Sequence, residues 1–257
     1  MFRSKMIRIF CVVLAFSAGR GIALGQSETD PIRLIQRIEA QRKQIDEVWQ
    51  EGLIITEIKY EGMVKRTEVE FSAAFKQPNL FRFQLKGRSP LLMVSDGQWL
   101  WRFREREGTY TQTAAPKQSP LFHNWIGLFI PLQMGDTSIL LPPSGNVVQG
   151  FRLLGQESLE TKSGGVLSCY VVEGEMSKET LGHYDHGRVR VWVGTDDLIT
   201  WKIESTFVPG SSSAEREVTI TLLTKSVRVN EALPDSLFIF TPPAGARQLS
   251  AGRGERR

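Results

Sequence analysis

From Leu53 onward the chain alternates apolar and polar residues with a period of two, the spacing of a strand that buries one face. Phe71, Ala73 and Phe75 share one such face. Phe81, Phe83 and Leu85 share the next, interleaved with Arg82, Gln84 and Lys86, and Trp99, Trp101 and Phe103 share a third. Further on, Val189, Val191 and Val193 alternate with Arg188, Arg190 and Trp192, and Trp201, Ile203 and Phe207 alternate with Lys202, Glu204 and Thr206. In the last long run Val218, Ile220 and Leu222 keep one phase while Val227 and Val229 keep the other, which predicts a bulge near Leu222-Leu223 and a bent strand. Asp96-Gly97 lies between Leu91-Leu-Met-Val94 and Gln98-Trp-Leu-Trp101, the arrangement of a tight hairpin, and Glu107-Gly108 turns the chain again toward Tyr110.

Two segments depart from this period. Ile32, Ile35, Ile38, Ile45, Val48 and Trp49 approximate one face of a helix, with Asp30 as N-cap, Pro31 at the first helical position and Gly52 as its end. Leu121-Phe-His-Asn-Trp-Ile-Gly-Leu-Phe129 sits among Pro116, Pro120, Pro131, Pro142 and Pro143, and its length and apolar character predict a short helix held against the sheet. With about eleven strands, two helices and no repeat of fixed period, the fold is mainly β with few helices, an α+β chain. A meander of that length either stacks as two sheets or curls around something.

The first residues change the picture of where the protein works. Arg3, Lys5 and Arg8 precede an apolar stretch from Ile9 to Ala18 and the small residues ending at Gly25, the pattern of a secretory signal cleaved after Gly25. The apolar stretch is about ten residues, roughly half a membrane-spanning helix. Gln26 follows the cleavage point where a lipid-anchored protein would carry cysteine, so the expected product is an unanchored, exported chain. Cleavage takes Arg3, Lys5, Arg8 and Arg20 with it, leaving 28 of the 32 basic residues against 28 acidic ones. The remaining 232 residues suffice for one large β domain over residues 26–246, and the four arginines of 247–257 belong to a Gly/Arg-rich tail expected to be disordered. A basic pI therefore carries no argument for nucleic acid. Cys169 alone survives cleavage, within the alternating Leu167-Ser-Cys-Tyr-Val-Val172, and reads as a structural strand cysteine.

Gln77-Pro-Asn-Leu-Phe-Arg-Phe83, Leu92-Met-Val-Ser-Asp-Gly-Gln-Trp-Leu-Trp101 and Phe238-Ile-Phe-Thr-Pro-Pro-Ala-Gly245 resemble, in order and rough spacing, marks of the bacterial outer-membrane lipoprotein carrier family, the LolA-like proteins. The resemblance is clearest over residues 53–113 and at the C-terminal Phe-x-Phe-Thr-Pro-Pro, and weakest over 147–187. It implies a single curved antiparallel sheet of eleven strands, an open half-barrel closed by an N-terminal helix and a mid-chain helical lid. It also implies a periplasmic carrier that shelters acyl chains of lipoproteins or other lipids and meets an inner-membrane release transporter and an outer-membrane receptor. Membrane contact is then transient and the protein a monomer. On this reading the cavity and lid residues are Phe71, Phe75, Phe81, Phe83, Leu85, Trp99, Trp101, Phe103, Leu121, Phe122, Trp125, Phe129, Val191, Trp201 and Ile203, with Lys76 and Gln77 at the rim. Gln77 departs from the family, which commonly has an arginine there that fastens the lid. The same fold class also serves lipid-sensing regulators of envelope stress, which normally carry a further C-terminal domain; the short tail after Phe-Thr-Pro-Pro favours the carrier.

Little else in the chain points to chemistry. His183, Asp185 and His186, with Glu179 nearby, have the residue types of metal ligands but read as a loop without a further ligand cluster, and His123 falls within the apolar mid-chain segment. No Gly-x-Ser-x-Gly elbow, phosphate-cradling loop or dinucleotide fingerprint occurs, so neither catalysis nor a cofactor is expected.

Overall fold

The structure, a computed structural model, describes residues 30–117, 132–134, 137–139, 148–160, 164–176, 184–209 and 217–250. Asp30 caps the first helix, its Oδ1 accepting from the Ile32 N–H at 2.9 Å, and Pro31 opens α1 (Pro31–Arg42). Leu34 and Ile38 are the residues this helix buries completely, whereas Ile32 keeps 64% of its surface exposed. The helix is shorter than its apolar spacing predicts. Gln44 and Ile45 close a turn onto Gln41 and Arg42, and Ile45, Val48, Trp49 and Gly52 lie beyond it, the last three inside β1 (Glu47–Tyr60). Val48 and Trp49 face opposite sides of the sheet there, a period-two placement that a loose helical spacing imitates over so few residues.

Hairpins then follow through β2 (Met63–Lys76), β3 (Leu80–Lys86), β4 (Leu91–Asp96), β5 (Trp99–Arg104) and β6 (Thr109–Ala114). A small separate hairpin joins β7 (Leu132–Met134) to β8 (Thr137–Ile139). The chain resumes with β9 (Val148–Glu160), β10 (Val166–Met176), β11 (Tyr184–Gly194), β12 (Thr200–Pro209) and β13 (Glu217–Val229), then a 3₁₀ turn at Asp235–Phe238 and β14 (Arg247–Leu249). One open sheet of twelve strands results, in the order β14-β6-β5-β4-β3-β2-β1-β13-β12-β11-β10-β9. All neighbours are antiparallel except β14 with β6. The expected count of about eleven is one short, and the strand that sequence placed in the tail supplies the difference. Gly245 (φ 82°) turns the chain, the Arg247 N–H donates to the Gly108 carbonyl at 2.8 Å, and backbone pairing with β6 captures Arg247–Leu249, residues whose composition alone reads as disordered.

The Asp96-Gly97 hairpin forms as expected, Asp96 Oδ1 accepting from the Gln98 and Trp99 N–H groups at 2.8 and 2.7 Å. The seam between β1 and β13 carries the bulge: Glu51 pairs with Ser226 and Gly52 with Thr224, so Lys225 is skipped, slightly past Leu222-Leu223. Gly52 is required at this seam, because a Cβ there would lie 2.1 Å from the Leu223 carbonyl oxygen and 2.7 Å from Phe71 Cε1. The bulge also returns Val227 and Val229 to the same side as Val218, Ile220 and Leu222.

Register divides the sheet into two unlike faces. Leu34 and Ile38 of α1 join a cluster on one of them, the helix face, with residues from nine consecutive strands, β4 through β9 in sheet order. On the opposite side, the tail face, Leu233, Phe238 and Ala74 form a separate cluster in which Trp49, Leu80 and Leu237 take part.

Candidate ligand-binding face

Phe71, Phe75, Phe81 and Phe83 stand together on the helix face, each at 3% exposure or less. Their rings stack in two pairs, Phe71 with Phe83 at 6.1 Å and Phe75 with Phe81 at 6.2 Å between centroids. Leu85 packs against the same cluster from its margin, and Val191 and Ile203, register partners on β11 and β12, continue it across the seam. Met93, Tyr170 and Val172 belong to it as well; they lie within alternating segments, but their side of the sheet follows only from strand pairing.

Trp99, Trp101 and Phe103 are on the other side. Val94 pairs with Trp101 and with Arg82, whereas Met93 pairs with Phe83 and with Arg102, so β5 turns its aromatic residues toward the tail face. Phe240 lies against them there, 6.1 Å from Trp101, 5.8 Å from Phe103 and 6.0 Å from Tyr110. The C-terminal Phe-x-Phe thus seals the second face, with Phe238 buried and Phe240 roofing the β5–β6 aromatics. Trp201 also leaves the predicted set. The β11–β12 register runs from Trp192–Lys202 to Val193–Thr200, which puts Trp201 out of step, and it packs near Cys169, Val171 and Trp192 with its Nε1–H donated to Asp197 Oδ2 at 3.1 Å. Period two identifies strands but not which face looks where, and here both faces are apolar. Leu121, Phe122, Trp125 and Phe129, the predicted lid, lie outside the described residues, as do His123, Glu179 and His183.

The two residues expected at the rim divide between the faces. Gln77 Nε2 donates to the Ile45 carbonyl at 2.8 Å, and the Gln77 N–H donates to the Asp46 carbonyl at 2.9 Å. Asn230, in the left-handed region at φ 55°, holds the same turn from β13: its Oδ1 accepts from the Asp46 N–H at 2.8 Å and its Nδ2 donates to the Gln44 carbonyl at 2.9 Å. Two side-chain amides therefore clamp the turn that follows α1. Nothing in the sequence pattern marks Asn230 beyond its place after a strand. Lys76 points to the tail face instead, bonded to Asp235 at 2.8 Å and paired with Glu47 at 3.3 Å, and Glu47 in turn accepts from the Leu233 N–H.

The tail side of the C-terminal strands is electrostatically organised. Glu173 accepts from Arg152 and Arg190 at 2.7 Å each, with Arg188 at 3.5 Å. Cys169 is fully buried; burial first, then the carboxylates of Asp197 and Glu157, pushes its thiol up to about 12, which keeps it protonated and inert at neutral pH. Among the described residues no group of three or more His, Cys, Asp or Glu could hold a metal ion, and no helix is long and apolar enough to cross a membrane.

No family model matches the chain. It is 23% identical over 254 residues to the uncharacterized protein MJ0687 of Methanocaldococcus jannaschii, covering 98% of this chain and 62% of the length of that curated relative. The chain is similar to a LolA superfamily protein. That structure, from Nitrosomonas europaea, has a TM-score of 0.33 at 12% identity and covers 82% of this chain and 97% of its own. A DUF1329 family protein from Desulfovibrio piger has a TM-score of 0.37 at 15% identity, covering 82% of this chain and 98% of its own.

Proposed function

We propose that the protein is an exported carrier that shelters the acyl chains of lipoproteins or other lipids on the helix face of its sheet. The observation that carries this reading is one apolar cluster to which nine consecutive strands contribute, with buried Gln50, Ser95, Ser205 and Thr224 set among it. Eight gaps at about 4.8 Å make such a face about 38 Å wide, while a 12-residue helix is about 18 Å long and about 10 Å across. The described helix is too small to cover it. On this proposal the sheet curves around its own apolar side, as a half-barrel does, and the hollow so formed suits hydrocarbon. A chain exposing a dozen methylenes to water costs about 10 kcal/mol, so a carrier needs broad apolar area and no reactive group. The expected Leu121–Phe129 lid completes the reading as the element that exchanges with cargo, and transfer toward the outer membrane through a release transporter and a receptor follows the family resemblance.

Expression of the whole chain in a cell envelope, followed by solvent extraction of the purified protein and mass spectrometry, tests the proposal. Lipid or acylated peptide in stoichiometric amount is the expected result. A chain that yields none, and takes up none when offered acyl ligands in solution, is not a carrier.

A further inference from the structure

Among the described residues, three buried side-chain polar atoms have no hydrogen-bond partner: Arg42 Nη1, Thr200 Oγ1 and Thr224 Oγ1. All three belong to the helix-face side. Thr224 pairs with Gly52, itself the partner of Phe71, and Thr200 pairs with Val193. Arg42 stands four residues after Ile38 and eight after Leu34, so it continues the stripe by which α1 is buried on the sheet. Arg42 as a residue is half-buried, but its Nη1 is out of water with no acceptor, and native proteins place such a charged donor only where something compensates. Burial lowers its pKa to about 10, and Glu39, which raises it, is exposed and forms no ion pair with it. The group remains a cation at neutral pH. The helix C-terminus favours positive charge there, yet Nη1 bonds to none of the terminal carbonyls.

The Gln77 and Asn230 clamp fixes where this cation sits. Holding Gln44, Ile45 and Asp46 sets Arg42 at the end of the sheet where β1 and β3 begin and β2 and β13 finish. Phe75 and Phe81 stack on the helix face at that same end, and the Phe71–Phe83 pair follows further along. A head group at Arg42 would leave a hydrocarbon tail running along this aromatic row. Guanidinium matches carboxylate and phosphate oxygens in the same way.

We infer that Arg42 anchors the anionic head, carboxylate or phosphate, of a long-chain amphiphile whose tail occupies the helix face. This rests on the carrier reading and names its ligand class. Delipidated full-length protein is titrated calorimetrically with palmitate, hexadecyl phosphate and the neutral monopalmitoylglycerol, and palmitate is titrated again in the presence of millimolar acetate or inorganic phosphate. Both anions bind at least about tenfold more tightly than the neutral lipid, Arg42→Met removes that preference without weakening the neutral lipid, and Arg42→Lys keeps most of it. The free small anions leave palmitate binding unchanged. Equal affinity for charged and neutral lipids in the unaltered protein, a preference that survives Arg42→Met, or displacement of palmitate by acetate or phosphate each overturns the anchor while the carrier reading stands. Binding of none of the three lipids overturns both. Should Arg42→Met fail to fold, the ratio of affinities in the unaltered protein decides alone.

Discussion

Glu173 shows how a residue's environment can invert its first impression. In Cys169-Tyr-Val-Val-Glu173 it reads as the polar end of an alternating strand, yet its side chain is only 5% exposed, among Arg152, Arg188 and Arg190. Burial, the largest single influence, pushes its carboxyl up; the Arg190 hydrogen bond, the charges of Arg190 and Arg188 and the Arg152 hydrogen bond together outweigh it and hold the group below the usual carboxylate range. A depressed folded-state pKa contributes stability that is complete above the unfolded value of about 4.3 and is lost as pH falls through the folded one. Glu173→Gln is therefore expected to cost about 1–3 kcal/mol at pH 7, because three guanidinium groups lose their acceptor while remaining partly solvated. The gap from the unaltered protein should narrow at pH 3. Urea unfolding at both pH values checks this, and an equal difference at each would show that the carboxylate's charge is irrelevant. Arg188 and Arg190 are legible in the sequence as polar alternates of Val189 and Val191. Their carboxylate is not, because the pairing of β10 with β11 and β9 brings it to them.

At the scale of elements, α1 and its attachment are the parts that the chain's pattern describes least completely. Its start is legible, since Asp30 and Pro31 provide a side-chain acceptor and a preset φ. Its end is not: no glycine stops it, and Val48 and Trp49 extend the apolar spacing into what is already β1. The stop is tertiary, made by Gln77 and Asn230 drawing the backbone of Gln44, Ile45 and Asp46 onto the sheet. Asn230→Gly retains the left-handed backbone while deleting the amide, so its effect isolates the clamp. A loss of about 1–3 kcal/mol is expected, together with faster hydrogen exchange in α1 than in β12. Exchange accelerated uniformly across the sheet, with α1 no different, would mean the amide supports the whole fold instead of the helix. The Phe-Thr-Pro-Pro segment makes the complementary case. Its motif is visible in the chain, but that Phe238 and Phe240 cover the tail face, and so account for Trp101 and Phe103, appears only once β5 is in register with β4.

The whole molecule is two wings of hairpins, β1–β6 with β14 and β9–β13, and in the sheet they meet only where β1 pairs with β13. That contact joins residues separated by most of the chain, whereas nearly every other strand pair is local, so the seam carries most of the loop-closure entropy of the fold. It also holds the bulge at Lys225 and the close approach at Gly52. Strand protection should therefore grade outward: amides of β1, β2 and β13 exchange slowest, and those of β9 and β14, each bonded along one edge, exchange first. Gly52→Ala tests the arrangement, since its methyl group would meet a backbone carbonyl that cannot rotate aside. The expected cost is about 1–3 kcal/mol, with the protection of β1 and β13 falling toward that of the outer strands while local hairpins such as β4–β5 change least. If Gly52→Ala instead lowers protection equally in every strand, the sheet opens as one cooperative unit and protection does not grade outward from the seam. Because one apolar cluster of the helix face spans this seam, from Phe71 and Phe83 on one wing to Ile203 and Val191 on the other, the same variant should weaken binding of any chain that lies over both.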